Sequence, residues 1–187
     1  MKFLVSILPL MLLMSQPISS QNVTYSDINR EDSREINFEI IGKLNSNLLV
    51  YKNVRWKHVI SVYDNEMKEK ERINLDFIPE KTFNVDFVVY PEFFYMIYQY
   101  QKRSIVHCMG VKMDPGGKKI NEPFEMDTTQ VGILGDNKIY STILSEDKQK
   151  VVVYKIQKKF EKLHLTTCLF NNNIAFIEVK CLPAFSD

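Results

Sequence analysis

The stretch FFYMIYQYQKRSIVHCMGVKM at residues 93–113 places two apolar segments on either side of a polar hairpin, QYQKRS at residues 99–104. Similar polar hairpins stand between apolar segments at residues 52–57 (KNVRWK) and 145–150 (SEDKQK). The three hairpins begin at residues 52, 99 and 145, which are 47 and 46 residues apart. A repeat of about 40 to 50 residues made of short strands is typical of proteins in which each unit is one small sheet.

The rest of the chain supports this all-β interpretation. After residue 36, apolar segments separated by turn signals recur every ten or so residues without helical periodicity. The pattern predicts units of four antiparallel strands. The predicted array covers residues 36–181, with units at about 36–78, 83–127 and 130–170, the first strand of a fourth unit at 174–179, and a tail at 182–187. Turn signals at residues 64–66, 114–117 and 157–159 are predicted to join the third strand of each unit to the fourth.

Residues 1–20 have the order of a secretory signal peptide: one early cation, Lys2, then an apolar run, then Ser19 and Ser20. The apolar run is shorter than the about 20 residues that a membrane-spanning helix needs. We therefore predict cleavage after Ser20 and export. Residues 21–35 (QNVTYSDINREDSRE) are polar and charged, so they bury too little apolar surface to offset ordering, and we interpret them as a flexible tether.

Charge and cysteine content exclude some classes of function. Loss of Lys2 with the signal peptide lowers the 24 cationic side chains to 23, equal to the 23 anionic ones, which argues against nucleic acid binding. Cys108, Cys168 and Cys181 are too few for a disulfide framework, and their spacing fits no zinc motif. We interpret them as buried free thiols, with a Cys108 to Cys168 bridge as the alternative in an oxidising compartment.

The repeat resembles β-propellers of the WD40, kelch and YVTN kind, and the whole exported chain is similar to uncharacterised secreted bacterial propeller proteins. The resemblance covers about residues 36–179. It implies binding at the loop rim or central channel, and it implies no particular reaction. Propellers close with about four to eight blades. Three blades therefore predict an open or incomplete ring, so that the chain either is the N-terminal part of a longer protein or pairs with another chain.

Antiparallel strand order predicts that the three polar hairpins lie at one end of the array. The candidate ligand-binding side chains of this loop rim are Arg55, Trp56, Lys57, Lys102 and Arg103, and Lys148 and Lys150 are expected beside them. Such cations, with an indole among them, suit an anionic glycan, peptide or envelope polymer through charge and stacking. The alternative is that they are ordinary hairpin residues.

No catalytic, metal-binding or cofactor-binding set is predicted. His58, His107 and His164 are spread over different strands, and no nucleophile elbow, phosphate loop or zinc-binding helix is present. Glu39 and Asp86 stand on the first strands of two units and are expected to face the central channel. Two acids are the minimum for glycosidase chemistry and are common calcium ligands, but no neighbouring residue identifies an acid/base pair, so solvated channel lining is the favoured interpretation.

We therefore expect an exported, non-catalytic binding or scaffold protein of the bacterial cell envelope that recognises a protein or glycan through its loop rim. Its location would be the periplasm, the outer surface or the extracellular space. The alternative is a fragment of a carbohydrate-active hydrolase or lyase whose catalytic residues lie in further blades, and a third hypothesis is a purely structural domain. Open blade edges also predict self-association.

Overall fold

A computed structural model describes residues 23–26, 36–132, 139–159 and 162–185. The predicted signal peptide and most of the predicted tether lie outside the described residues. The described parts are all-β and form three four-stranded antiparallel sheets, which confirms the predicted open array of four-stranded units. Across the same ranges, no helix has the length and apolar character needed to cross a membrane.

Each sheet is built from four strands that are consecutive in sequence. Sheet A contains β1 (Ile36–Leu44), β2 (Asn47–Val54), β3 (Lys57–Tyr63) and β4 (Glu69–Asn74). Sheet B contains β5 (Thr82–Val89), β6 (Phe94–Lys102), β7 (Ile105–Met113) and β8 (Phe124–Gln130). Sheet C contains β9 (Tyr140–Leu144), β10 (Lys150–Lys159), β11 (Lys162–Asn171) and β12 (Phe176–Phe185).

Sheet B is the middle layer, and β6 shows why both of its faces are apolar. Successive side chains of a strand point to opposite faces. Phe94 and Met96 pack with residues of sheet A, whereas Tyr95 and Ile97 pack with residues of sheet C. All four side chains are buried, so both faces of this part of the strand need apolar residues.

The first strands of the three sheets are neighbours and run in the same sense. β1 lies beside β5, and β5 lies beside β9. Near the end of β1, a Cβ atom on Gly42 would lie 3.8 Å from Val89 Cγ1, near the end of β5. The arrangement is consistent with that of propeller blades, in which the first strands are innermost.

The turn from the third strand to the fourth has one design in all three sheets. It begins at Asp64, Asp114 or Asn171, whose side-chain Oδ1 accepts hydrogen bonds from the backbone N–H groups two and four residues later, at 2.8 to 3.0 Å. The fourth residue of each turn has a positive φ, 60° at Met67, 85° at Gly117 and 54° at Ile174. A short acceptor side chain thus satisfies two backbone donors in a tight reversal.

The third sheet is offset from the predicted third unit by one strand. Residues 174–179 do not start a fourth unit, because β12 pairs with β11 and completes sheet C. The physical reason is the turn at Asn171, which is short and returns the chain to the same sheet, whereas the link between sheets A and B runs over residues 75–81. The predicted turn at residues 157–159 is also wrong, because these residues belong to β10. At the start of the predicted third unit, Val131 and Gly132 are not in a strand.

Candidate functional site

Two of the predicted rim hairpins lie at the same end of neighbouring sheets. Arg55 and Trp56 form the turn between β2 and β3, and Lys57 opens β3. Lys102 closes β6, and Arg103 starts the turn to β7. Both turns join the second strand of a sheet to the third, so the equal direction of β1 and β5 brings them to one end. The structure thus places the five predicted site residues at the same end of sheets A and B.

The third hairpin lies at the opposite end. The Tyr90 hydroxyl donates a hydrogen bond to the Lys148 carbonyl at 3.0 Å, and Lys148 Nζ donates to the Val89 carbonyl at 3.3 Å. These contacts place the hairpin beside the turn between β5 and β6. The expectation that Lys148 and Lys150 join the rim is therefore wrong, because β9 is the first strand of its sheet and not the second.

Trp56 stands in a conformation that a tryptophan rarely adopts. Arg55 and Trp56 have φ values of 51° and 67°, and the Trp56 side chain is 54% exposed. Two-residue hairpins with positive φ at both positions favour Asn and Gly. A left-handed conformation costs other residues roughly 1–2 kcal/mol. The turn therefore holds a large exposed indole at the tip of the hairpin at a cost in stability.

A groove of about 370 Å³ opens between sheets A and B beneath this turn. It is lined by Asn37, Phe38 and Glu39 of β1, Tyr51 and Asn53 of β2, Trp56, and Thr82, Phe83, Asn84 and Val85 of β5. Asn37 pairs with Asn53 across the β1–β2 ladder, and Glu39 pairs with Tyr51, so these four residues share the face of sheet A that looks toward sheet B. The groove combines amides, a carboxylate and aromatic rings.

The floor of the groove favours uncharged forms of its acidic groups. Partial burial, and to a smaller degree the neighbouring Asp86 carboxylate, raise the pKa of Glu39. Burial, with a smaller effect of Glu39, raises the pKa of Tyr51 far above its usual range. Asp86 lies outside the lining of the groove, on the β5 position that pairs with Ile97.

His58 supports the groove from behind. Its Nε2 lies 3.2 Å from the Glu80 carbonyl oxygen, which can only accept, so this nitrogen donates. In the neutral ring Nδ1 is then the acceptor, and the Tyr51 hydroxyl donates to it at 2.7 Å. Burial lowers the pKa of His58. The histidine therefore orients a groove tyrosine and has a structural partner at each nitrogen.

The other candidate groups have structural surroundings. His107 lies 2.7 Å from Glu125 and stacks on Tyr100. Cys108 and Cys168 are buried free thiols as predicted, but Cys181 is exposed, so that part of the prediction is wrong. Among the described residues, no three or more His, Cys, Asp or Glu side chains are arranged to hold a metal ion.

Sequence inspection identified Trp56 but missed the groove below it. The groove depends on β1 of one unit lying beside β5 of the next, a long-range contact that hairpin spacing does not encode. The available signal was the pair of asparagines, Asn37 and Asn53, in otherwise apolar strands. Comparisons with known protein families, curated proteins and solved structures find no match.

Proposed function

We propose that the chain is an exported, non-catalytic binding protein of the bacterial cell envelope with a propeller architecture of the WD40, kelch or YVTN kind. It would recognise a protein or glycan through the loop rim at the end of sheets A and B. The observation that carries this proposal is Trp56, an exposed aromatic side chain held in an unfavourable turn conformation beside cationic residues. The hairpin needs positive φ at both positions, for which Asn and Gly are the favoured residues, so a tryptophan with an exposed ring at this position supports a role in binding.

The charge around Trp56 indicates the character of the partner. The side chains of Arg55, Lys57, Lys102 and Arg103 are all exposed at this end. These four cations outnumber Asp76 and Glu80, the two acids that line a groove with Lys57, so the rim has a local excess of positive charge although the mature chain is close to neutral. This excess favours an anionic polymer, and the indole adds a contact that salt does not screen.

Binding of polygalacturonate, an anionic polysaccharide, would test this rim. Replacing Arg55, Lys57, Lys102 and Arg103 with Ser should lower the affinity roughly tenfold at low salt, because each exposed charge contributes a few tenths of a kcal/mol, and less at high salt. Trp56→Ala should lower it at every salt concentration. A control with Lys43, Lys68, Lys70 and Lys118 changed to Ser removes the same charge from the opposite end. Equal losses in the two fourfold variants would mean that net charge, and not the rim, binds the polymer.

We propose a second copy of the chain as a further partner. The outer face of sheet C, which looks away from sheet B, exposes Ile143, Ile156 and Leu163 by 50 to 56%. Sheet B covers one face of sheet A, and sheet C covers the other face of sheet B. A second copy would cover the remaining face in the same way.

The alternative, part of a carbohydrate-active hydrolase or lyase, has one observation in its favour. Glu39 has a raised pKa beside a second acid, Asp86, as a general acid in a glycosidase does. New reducing ends released from polygalacturonate or chitopentaose, lost in Glu39→Gln, would favour the enzyme over the binding protein.

A further inference from the structure

We propose that the groove beneath Trp56 binds one uncharged pyranose ring of a glycan, an inference that rests on the proposed binding function and names its ligand class. The groove volume of about 370 Å³ is within the range of small-ligand sites, about 300 to 1,000 Å³. The rest of a longer glycan would continue over the cationic turns.

The aromatic contact comes from Trp56. Its indole lines this groove and also the neighbouring one beside Asn74 and Asp76. The face of an aromatic ring is electron-rich. The axial C–H bonds of a pyranose present a slightly positive apolar face, so the sugar ring and the exposed indole are complementary. Trp56 lies in the turn between β2 and β3, so the indole lines the groove at the rim end.

The polar contacts come from Asn37, Asn53 and Glu39. The two asparagines are cross-strand partners on the face toward sheet B, and no side-chain hydrogen bond joins either amide to another described residue. An amide offers donors and an acceptor together, and a sugar hydroxyl is also both donor and acceptor. Two amides side by side can therefore satisfy neighbouring hydroxyls, and the Glu39 carboxyl can accept from a third.

The lining of the groove suits an uncharged ring. Burial raises the pKa of Glu39, so the surroundings of this carboxyl disfavour its charged form. None of the described residues that line the groove is a Lys or an Arg. A neutral hexose or N-acetylhexosamine therefore fits this lining, whereas a uronate or an amino sugar with a free ammonium group would lose hydration without gaining an ionic partner.

The fluorescence of Trp56 tests the inference directly, because the chain has one tryptophan. Chitopentaose and cellopentaose are the uncharged probes, and polygalacturonate and a deacetylated chitosan oligomer are the charged ones. We expect at least one uncharged pentamer to change the emission with saturation, by an amount that salt does not alter. Asn53→Ala and Asn37→Ala should each weaken binding about tenfold, and Asn65→Ala, in the turn at the opposite end, should not.

Two results would overturn the groove proposal. The first is that neither uncharged pentamer binds at millimolar concentration. The second is saturable binding that Asn53→Ala and Asn37→Ala both leave unchanged while each variant keeps the wild-type circular dichroism. Salt-sensitive binding of polygalacturonate without binding of an uncharged pentamer would reject the groove and leave the proposed rim standing. The reverse result would support the groove and reject the rim.

Discussion

The outer faces of sheets A and C are the two ends of the array, and they differ in chemistry. On sheet A, Lys52 Nζ donates to the Tyr63 hydroxyl at 2.7 Å, and Arg72 makes two hydrogen bonds to Glu69 at 2.9 and 3.1 Å. Glu69 also accepts from the buried Ser61 hydroxyl at 2.8 Å. Long polar side chains thus cover the middle of this face.

The described residues of β9, β10 and β11 give sheet C no comparable polar layer, and the exposed ion pair between Lys180 and Glu178 lies on its fourth strand. The outward positions of its first three strands are largely apolar, with Ile143, Val152, Ile156 and Leu169 among them. Terminal units of repeat proteins stay soluble when their outer face is polar. The middle of sheet A therefore has the chemistry of a surface that faces water, with the exposed Phe38 and Ile40 confined to its first strand, whereas the first three strands of sheet C have the chemistry of a surface that another sheet should cover.

The largest expected effect contrasts a covered face with this open one. Ile97→Ala removes a side chain that is 2% exposed between sheets B and C, and we expect a loss of about 2–5 kcal/mol in the free energy of unfolding. Ile143→Ala, on the outer face of sheet C, should change it by less than about 0.5 kcal/mol at a protein concentration low enough for the monomer. Urea unfolding of both variants at that concentration measures the difference. Similar losses would show that the outer face is covered within the monomer itself.

The ion pair between sheets B and C should have the next largest effect. Lys155 Nζ lies 2.6 Å from Asp127 Oδ2 and donates to Thr129 Oγ1 at 2.8 Å, with only 12% of its side chain exposed. Lys155→Met leaves the partly buried Asp127 without its cation and should cost about 1–3 kcal/mol. Lys180→Met breaks the exposed pair with Glu178 and is the matched control, with an expected change under about 0.5 kcal/mol. Equal effects in urea unfolding would contradict a special role for the interior pair.

Self-association provides the third contrast. Light scattering after size exclusion should show dimers or larger species for the wild type, and mainly monomers when Ile143 and Ile156 are both changed to Lys. Phe38→Lys with Ile40→Lys changes two exposed apolar residues of sheet A and should leave association in place. A wild-type protein that is still monomeric at about 100 µM would reject the proposal that a second copy covers the outer face of sheet C.

The smallest expected effect is the pH dependence of stability that comes from His58, on the covered face of sheet A. Because burial lowers the pKa of His58, the fold favours the neutral ring. The stabilisation that comes from the neutral His58 ring is fully present above 6.5, the pKa of histidine in the unfolded chain. It is lost as the pH falls below 6.5 toward the lower pKa of the folded protein. We therefore expect a lower urea midpoint at pH 5 than at pH 7.5. His58→Gln should reduce that difference, and an unchanged pH dependence in this variant would assign it to other groups.

The sequence predicted the fold class because alternation and turns are local signals. The turns that begin at Asp64 and Asp114 are predictable from DNEMK and DPGGK, but the same turn at Asn171 has the sequence NNNIA, which resembles neither. Hairpin spacing, the remaining local signal, shifts the predicted third sheet by one strand. The position of the two rim turns at one end is predictable from the order of strands within each unit. The groove is not predictable in this way, because it depends on the side-by-side packing of β1 and β5, which no short stretch of sequence specifies.

The meander within each sheet has a consequence for how the chain folds after it is translated. Ladders of backbone hydrogen bonds join strands that are neighbours in sequence, and in the described residues no such ladder connects one sheet to the next. Low sequence separation of contacts shortens the search for the native pairing. Each sheet can then form as one cooperative unit. Sheet C has a neighbouring sheet on one side only, and the first three strands of its other face are largely apolar. We therefore expect sheet C to exchange its amide hydrogens first.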